Sequence, residues 1–428
     1  MTAVAKKQFS VKEIPCPFCS LLCDDLVIGT DGHQLELQAN ACDKAVGLFA
    51  SIENSTSYPE IKGKKVSLDD AISESVRILK RSKQPLISGL ATDVNGVRSA
   101  LALADRIGAT VDHMHGEGAI RNIRVLQDHG WMMTTMAEIK NRADLIIFAG
   151  TDAVSNYPRF FDRVVWNNSA LFNKKTRERD IIYIGEKLDT SAGKITGGKK
   201  PEYLSCKQDQ IGEILSTLHA LLNGTEIKTQ TVAGNKITLL RTLAEKMKMA
   251  KYGVIVWAPG ELNFPHAELT VKVISDLVKY MNRETRFAGF ALGGNDGGMS
   301  ANSVCSWQSG YPLRVNFSNG YPEYDPYKFS TGKVLKRMEA DSMMWISSFN
   351  SSIKPPNARI PRIILSSNMT HLPHKPSVFI PVGIPGIDHG GQLIRTDSVV
   401  SLKMKQLINR NLPSVADVIN RITAALKE

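Results

Sequence analysis

The chain has 428 residues, 22% charged and 43% hydrophobic, with a formal net charge of +11 and a pI near 9.2. That length predicts two or three domains of an ordinary globular protein rather than one core. It excludes a spanning helix, because the longest apolar runs, such as "DLIIFAG" and "GVIVWAP", suit buried strands and are too short for a bilayer. The first eighteen residues lack a hydrophobic signal core, which predicts a cytoplasmic protein whose thiols stay reduced. Lysines come in short, scattered runs ("IKGKK", "NKKTRERD", "KMKMAK") without interleaved aromatics, so the basic balance predicts no nucleic-acid partner and no membrane surface.

In chain order, the first feature is "CPFCSLLCDDLVI", answered by "NACDKAVG": Cys16, Cys19, Cys23 and Cys42 in a C-x2-C-x3-C-x18-C pattern. Four thiolates suit either a tetrahedral zinc or a [4Fe–4S] cube. Three ligands on one loop with one remote partner favour the iron–sulfur reading over two zinc knuckles; a relict, empty shell is the third possibility. Cys206 and Cys305 stand alone and read as buried structural residues.

Next, "VSLDDAISESVRILKRS" predicts a capped amphipathic helix. "QPLISGLATDVNGVRSALALADRIGATVDHM" then reads as a βαβ unit. Further strands are expected at "ADLIIFAGTD", "DIIYIGEKLD", "YGVIVWAPGE", "SMMWISSFNSS", "RIILSSNMT" and "SVFIPVG". Helical periodicity separates several of them ("QDQIGEILSTLHALLNG", "ITLLRTLAEKMKMAK", "HAELTVKVISDLVKYMN"), and the tail "NLPSVADVINRITAALKE" predicts a closing helix. This alternation argues for an α/β protein with open, mostly parallel sheets and ligand loops at the strands' carboxyl ends.

Three other constellations carry polar groups. "HMHGEG" offers His113, His115 and Glu117, which would share a face if extended; they read better as crevice-lining groups than as metal ligands. "HLPHKP" (His371, His374, Lys375) reads as a rigid surface loop. "ALGGNDGGMSANSV" surrounds Asn295 and Asp296 with glycines that let backbone approach a ligand, but lacks the dinucleotide spacing. Beyond it, Trp307, Gln308 and Tyr311 of "SWQSGYP" are either packing residues or a subunit contact. Neither a G-x-S-x-G elbow nor a Walker A sequence occurs.

Taken together, "CPFCSLLCDDLVI…NACDKAVG", "QDHGWMMTTMAEIKNRADLIIFAGTD" and "GGNDGGMSANSVCSWQSGYPLRVNFSNGYPEYDP" resemble the B subunit of formylmethanofuran dehydrogenase, over nearly the whole chain. The resemblance implies a molybdopterin-oxidoreductase-like fold: a four-Cys domain (1–55), a discontinuous α/β domain (56–141 and 251–428) and an inserted Rossmann-like domain (142–250). The loops around 150–152, 185–190, 348–352 and 366–370 would then face a bis-pterin.

One departure decides the expected activity. The family's metal-ligating Cys precedes a His-Gly pair, and here Met114 precedes His115 and Gly116. No Cys occurs between Cys42 and Cys206, and a neutral thioether is a weak substitute for a thiolate on an oxidised tungsten or molybdenum centre. "IGEKLDT" replaces an expected Asp-Pro-Arg, and "LIRTD" keeps Arg395 and Asp397 without the family's aromatic.

The expectation is therefore a non-catalytic B subunit of a bacterial formyltransferase/hydrolase complex, with Cys16, Cys19, Cys23 and Cys42 as ligands of one [4Fe–4S] cluster and no molybdenum or tungsten pterin. Its partners would be an amidohydrolase-like hydrolase, a formyltransferase subunit and a further small subunit. An active tungsten or molybdenum dehydrogenase is the alternative. Because carriers of this class can bear polyglutamate tails, "NKKTRER" is an expected steering groove.

Overall fold

The computed structural model describes residues 9–53, 58–350, 352–368 and 374–427. They form an α/β protein divided into two compact units, residues 1–116 with 294–428 and, inserted between these segments, 117–293. No helix among the described residues is long and apolar enough to cross a membrane.

The first unit opens with β1 (Phe9–Ile14), β2 (Leu26–Thr30) and β3 (Leu35–Ala39), a small antiparallel sheet, then α1 (Asp43–Glu53). A short hairpin, β4 (Glu60–Ile61) and β5 (Lys64–Lys65), precedes α2 (Leu68–Arg81), β6 (Pro85–Ala91), α3 (Val94–Ile107) and β7 (Thr110–Val111). Ser67 caps α2 by accepting from the Asp70 N–H, as its Ser-x-x-Asp start predicts, and Asp93 caps α3 in the same way through Gly96.

The inserted unit runs through α4 (Gly116–His129), α5 (Met136–Arg142), β8 (Leu145–Ala149), β9 (Asp180–Gly185), β10 (Glu202–Ser205) and α6 (Ile211–Leu222). The hairpin β11 (Thr231–Val232) and β12 (Asn235–Lys236), α7 (Ile237–Met249), β13 (Tyr252–Trp257), α8 (Ala267–Met281) and β14 (Arg286–Ala291) complete it. Its five-stranded parallel sheet has the order β10-β9-β8-β13-β14 and reverses direction of growth between β8 and β13. One face packs on α6, α7 and α8; the other is aromatic, with Phe148 stacked on Phe161 and Tyr183 at 5.2 and 5.1 Å.

This insertion is wider than the 142–250 expected from sequence. β13 pairs in parallel with β8, and β14 in parallel with β13, so neither can leave that sheet without exposing its buried residues. Residues 251–293 therefore belong with β8, not with the C-terminal segment.

The chain returns to the first unit through α9 (Gly298–Ser309), β15 (Val315–Asn316), β16 (Glu323–Tyr324), α10 (Thr331–Lys336), β17 (Ser342–Ser347), β18 (Arg362–Ser366) and β19 (Val378–Pro381). β20 (Gly391–Ile394) pairs with β21 (Ser401–Met404), and α11 (Val415–Ala425) closes the chain. The nine-stranded sheet, β16-β15-β7-β6-β17-β18-β19-β4-β5, has a parallel centre and reverses between β6 and β17. Residues of α2, α3, α9 and α11 cover one face of it. Smaller apolar clusters lie on the other, one of Trp345, Ile364 and Phe379 and one of Leu86, Val334 and Met343.

At the reversal β6 is bent. Gly89 and Leu90 both take positive φ, +77° and +52°, and the β6–β17 register slips there. A Cβ on Gly89 would lie 2.5 Å from the Ile346 carbonyl oxygen, so this position needs glycine for both conformation and space. Gly89→Ala should lower the unfolding free energy by about 2 kcal/mol, read as a lower urea midpoint; an unchanged midpoint would mean that the bulge carries no constraint.

Candidate functional site

The four-cysteine loop hangs between β1 and β2. Cys16, Cys19 and Cys23 are buried there, and Cys42 sits half-buried before α1. The loop closes on itself: the Cys16 N–H donates to the Cys23 carbonyl (2.8 Å) and the Leu22 N–H to the Cys19 carbonyl (3.1 Å). Phe18 meets Phe49 edge-on at 5.1 Å and ties the loop to α1.

The four thiols share one electrostatic environment. Burial pushes the Cys16 thiol well up, and the neighbouring Cys19, Cys23 and Cys42 add to it. Burial likewise raises Cys19, with the Leu21 N–H and Lys44 opposing and Cys42 and Asp296 reinforcing. Such a buried thiol set holds thiolates only when positive charge is brought among them, which a bound metal group does. Among the described residues no three His, Cys, Asp or Glu side chains gather around the position of a single ion.

A second cluster lies on the Gly/Asn loop ahead of α9. The Asn295 side chain accepts from the Ser20 N–H (3.1 Å), fixing the cysteine loop to it. His113 Nδ1 accepts from the His115 N–H (3.1 Å), so its proton lies on Nε2, which donates to the Asp296 carbonyl (3.2 Å). His115 Nε2 meets the Asp296 carboxylate at 2.7 Å. Burial, then the adjacent His115, pulls the His113 pKa down to about 4, so the ring is neutral at pH 7. Gly297 is required here, at φ +74°, because a Cβ would run into the Thr92 carbonyl oxygen.

Sequence spacing puts His113, His115 and Glu117 on one face only if the segment is extended. Instead residues 114 and 115 lie in a turn and α4 starts at Gly116; the acid facing His115 is Asp296, remote in sequence. The helix α9, opening at Gly298, was also hidden inside a run that reads as loop.

Met114 lies at the carboxyl ends of the parallel strands, its N–H donating to the Gly89 carbonyl (3.0 Å). Its side chain packs with Ile353 against Trp345, Ile364 and Phe379. The nearby strand-end serines spend their hydroxyls on backbone carbonyls. Ser348 donates through N and Oγ to the Ala91 carbonyl (2.9 and 2.7 Å), Ser347 Oγ to the Asn350 carbonyl, and Ser366 Oγ to the Ser347 carbonyl. Residues 351 and 369–373, including His371 and parts of the 348–352 and 366–370 loops, lie outside the described residues.

At the reversal in the inserted unit, where an α/β sheet commonly takes a ligand, Gly150 precedes Thr151 and Asp152. A Cβ on Gly150 would lie 2.7 Å from Leu262 and 2.8 Å from Ile211. Gly185 is similarly covered by Leu188, 3.1 Å from where its Cβ would be. Asp152 accepts from the Val154 and Ser155 N–H groups, both at 2.9 Å. Beside it, burial pushes the Glu261 carboxyl up, with Asp152 adding and the Asn156 and Thr151 hydrogen bonds opposing.

Other expectations resolve locally. Arg395 and Asp397 of "LIRTD" form a two-pronged pair at 2.9 and 2.7 Å. Cys206 and Cys305 are buried, the former pushed up to about 12 by burial. "NKKTRER" is mostly committed: Lys174 Nζ to the Ala170 carbonyl, Lys175 to Glu178 and Arg177 to the Thr196 carbonyl. Arg179 is buried on the Val164, Val165 and Lys140 carbonyls, so the run is no continuous steering groove.

No family model matches the sequence. The chain is 28% identical over 413 residues to the B subunit of the tungsten-containing formylmethanofuran dehydrogenase 2 of Methanocaldococcus jannaschii, covering 93% of this chain and 94% of that protein. The same subunit of Methanococcus maripaludis is 26% identical over 402 residues, 91% and 92% of the two chains. The B subunit of the formyltransferase/hydrolase complex Fhc of Methylorubrum extorquens is 26% identical over 339 residues, 78% of this chain and 87% of that protein. In fold, the chain matches the crystal structure of the Methylorubrum extorquens FhcABCD complex with methylofuran, at a TM-score of 0.74 and 24% identity, covering 86% of this chain and 98% of the matched one.

Because its folded pKa is depressed from about 6.5 to about 4, His113 contributes stability that is full above pH 6.5. That stability falls away as pH drops toward 4, where the unfolded chain binds the extra proton. The loss amounts to roughly 3 kcal/mol. His113→Gln should flatten the stability profile between pH 6.5 and 4 relative to the wild type; parallel profiles would remove His113 as the neutral partner of the Asp296 loop.

Proposed function

Since the chain is a homologue of the B subunits of formylmethanofuran dehydrogenases and of the formyltransferase/hydrolase complex, we propose that it is a non-redox B subunit of such a formyltransferase/hydrolase assembly. The assembly moves a formyl group from tetrahydromethanopterin to a methanofuran-like carrier and releases formate. This chain supplies scaffold, and its partners, a hydrolase, a formyltransferase and a further subunit, supply the chemistry.

The observation that carries the reading is Met114. It takes the metal-ligand position, and its thioether is packed against Trp345, Ile364 and Phe379 rather than presented as an anionic donor. The strand-end loops agree. A pterin dinucleotide needs room and positive potential for its diphosphate at a strand-end crevice. Here Asp152 and Glu261 stand together at one such strand end, Leu262 and Leu188 lie against Gly150 and Gly185, and Asp93 already caps α3 at the other. These residues do not fit the pterin group. The dehydrogenase alternative draws on the 28% identity to tungsten-containing subunits, and it lacks a soft anionic ligand in this chain.

The fold reading that accompanies this proposal is molybdopterin-oxidoreductase-like, a small four-Cys module followed by two Rossmann-like units. The two sheet reversals and the separate three-stranded sheet support it. Cys16, Cys19, Cys23 and Cys42 fit one [4Fe–4S] cluster, which would act as a clamp, since binding free energy at such a site is folding free energy.

Anaerobic purification with bound partners should give about four iron atoms per chain, no stoichiometric molybdenum or tungsten, and formate release without viologen reduction. Cys19→Ser should deplete the iron and lower the melting temperature. Tungsten near one atom per chain with viologen-linked activity would overturn the non-redox reading, and zinc in place of iron would overturn the cluster.

A further inference from the structure

The segment running from the last turn of α9 through β16 to α10 resolves an ambiguity left by the sequence. Trp307 is 66% exposed and Tyr321 57%, with Tyr311 and Tyr327 also exposed. They are not core packing. Tyr311 stacks on Tyr324 at 5.3 Å with the rings 7° from parallel, and Tyr324 pairs with Val315 in β16, the outermost strand of the nine-stranded sheet. The Tyr321 hydroxyl meets Glu323 at 3.4 Å, holding that ring on the tip of the β15–β16 hairpin. A Trp and several Tyr gathered in one short window on a surface is the composition of an interface centre, because these rings bury large area at little entropic cost.

The rim is basic. Lys333 Nζ lies 5.1 Å over the Tyr327 ring and Lys328 Nζ 5.3 Å from the Phe329 ring. Lys328 acts electrostatically on Glu339, whereas Lys333 and Lys336 have no ion-pair partner among the described residues. Nearby Arg337 is neutralised by Glu339, and the Asp325 carboxylate is spent on the Tyr327 and Lys328 N–H groups. Two uncommitted lysines, Lys333 and Lys336, beside an aromatic patch complement a protein surface with an apolar centre and an acidic rim.

We propose that the face formed by Trp307, Tyr311, Tyr321 and Tyr327 with Lys328 and Lys333 docks another subunit of the assembly, one presenting an acidic rim. The proposal rests on the subunit reading above, and its test separates the two. Hydrogen–deuterium exchange is compared between the isolated chain and the purified complex, and association is measured for Trp307→Ala and Lys333→Glu. Both positions are exposed, so unchanged melting temperatures will confirm that the variants fold.

Exchange in residues 306–328 should slow on assembly. Trp307→Ala should weaken association by about tenfold, and Lys333→Glu should weaken it most at low salt. A complex that forms with 306–328 unprotected and both variants within twofold of wild type overturns the docking face while leaving the subunit reading intact. Protection produced instead by self-association of the isolated chain assigns the face to a second copy and also overturns it. A chain that joins no other subunit defeats both.

Discussion

The first unit is organised around one buried carboxylate, Asp112, at the end of β7. It accepts from the N–H groups of His113 (2.9 Å) and Thr331 (2.8 Å) and faces the buried Arg314 guanidinium at 3.5 Å. Burial pushes this carboxyl up, and Arg314 with the two N–H donors pulls it back. Removing one member of such a buried pair typically costs about 3–5 kcal/mol, because the charge left behind has no water to turn to. The constraint reaches three elements: β7, the start of α10 and the segment before β15. Even Gly116 answers to it, since a Cβ there would strike the Asp112 carboxylate.

From Asp112 the order propagates to the cysteine loop. Its grip on the His113 backbone sets that ring facing the Asp296 carbonyl, and the Asp296 loop is the one whose Asn295 holds Ser20. The Thr396 N–H adds a second tie, to the Ser20 carbonyl at 2.8 Å. A loop carrying three buried thiols is thus fixed from outside by neutral hydrogen bonds. These bonds order the backbone of the loop, and they leave the buried thiols themselves without a counter-charge.

Much of this was legible. The long apolar runs at "LIIFA", "DIIYIG" and "YGVIVW" became central parallel strands because both their faces are covered, and the Ser67 cap and the closing helix lie where the sequence puts them. Other elements were hidden for physical reasons. β14, "RFAGFA", has two small residues among its aromatics and lacks an aliphatic run, so its place beside β13 comes from tertiary pairing. The β1–β2–β3 sheet is short, half exposed and bulged, which blurs its alternation. At the site, the four cysteines and His113 stood out by spacing, and Met114 through the resemblance to the family motif. The Asp296 contact to His115 and the Asp112–Arg314 pair span roughly two hundred residues, and no local pattern encodes them. Trp307 was visible as an aromatic, but its exposure depends on α9 ending beneath it at Gly310.

Met114 carries weight beyond its own chemistry because of what surrounds it. An anionic sulfur in that position would lie against Trp345, Ile364 and Phe379, where burial disfavours charge. The Trp345 indole N–H in this nook is buried without a hydrogen-bond partner among the described residues. At the neighbouring strand ends Ser347, Ser348 and Ser366 spend their hydroxyls on backbone carbonyls, and Asp93 occupies the α3 amino terminus that a phosphate would use. Each of these hydroxyls and carboxylates could in principle have turned to a cofactor, and each is instead satisfied within the chain. The reversal of strand order still makes a crevice at both sheets, as doubly wound topology requires. Around Met114 the hydroxyls of Ser347, Ser348 and Ser366 and the Asp93 carboxylate are thus each bonded within the chain, while the Trp345 N–H is not.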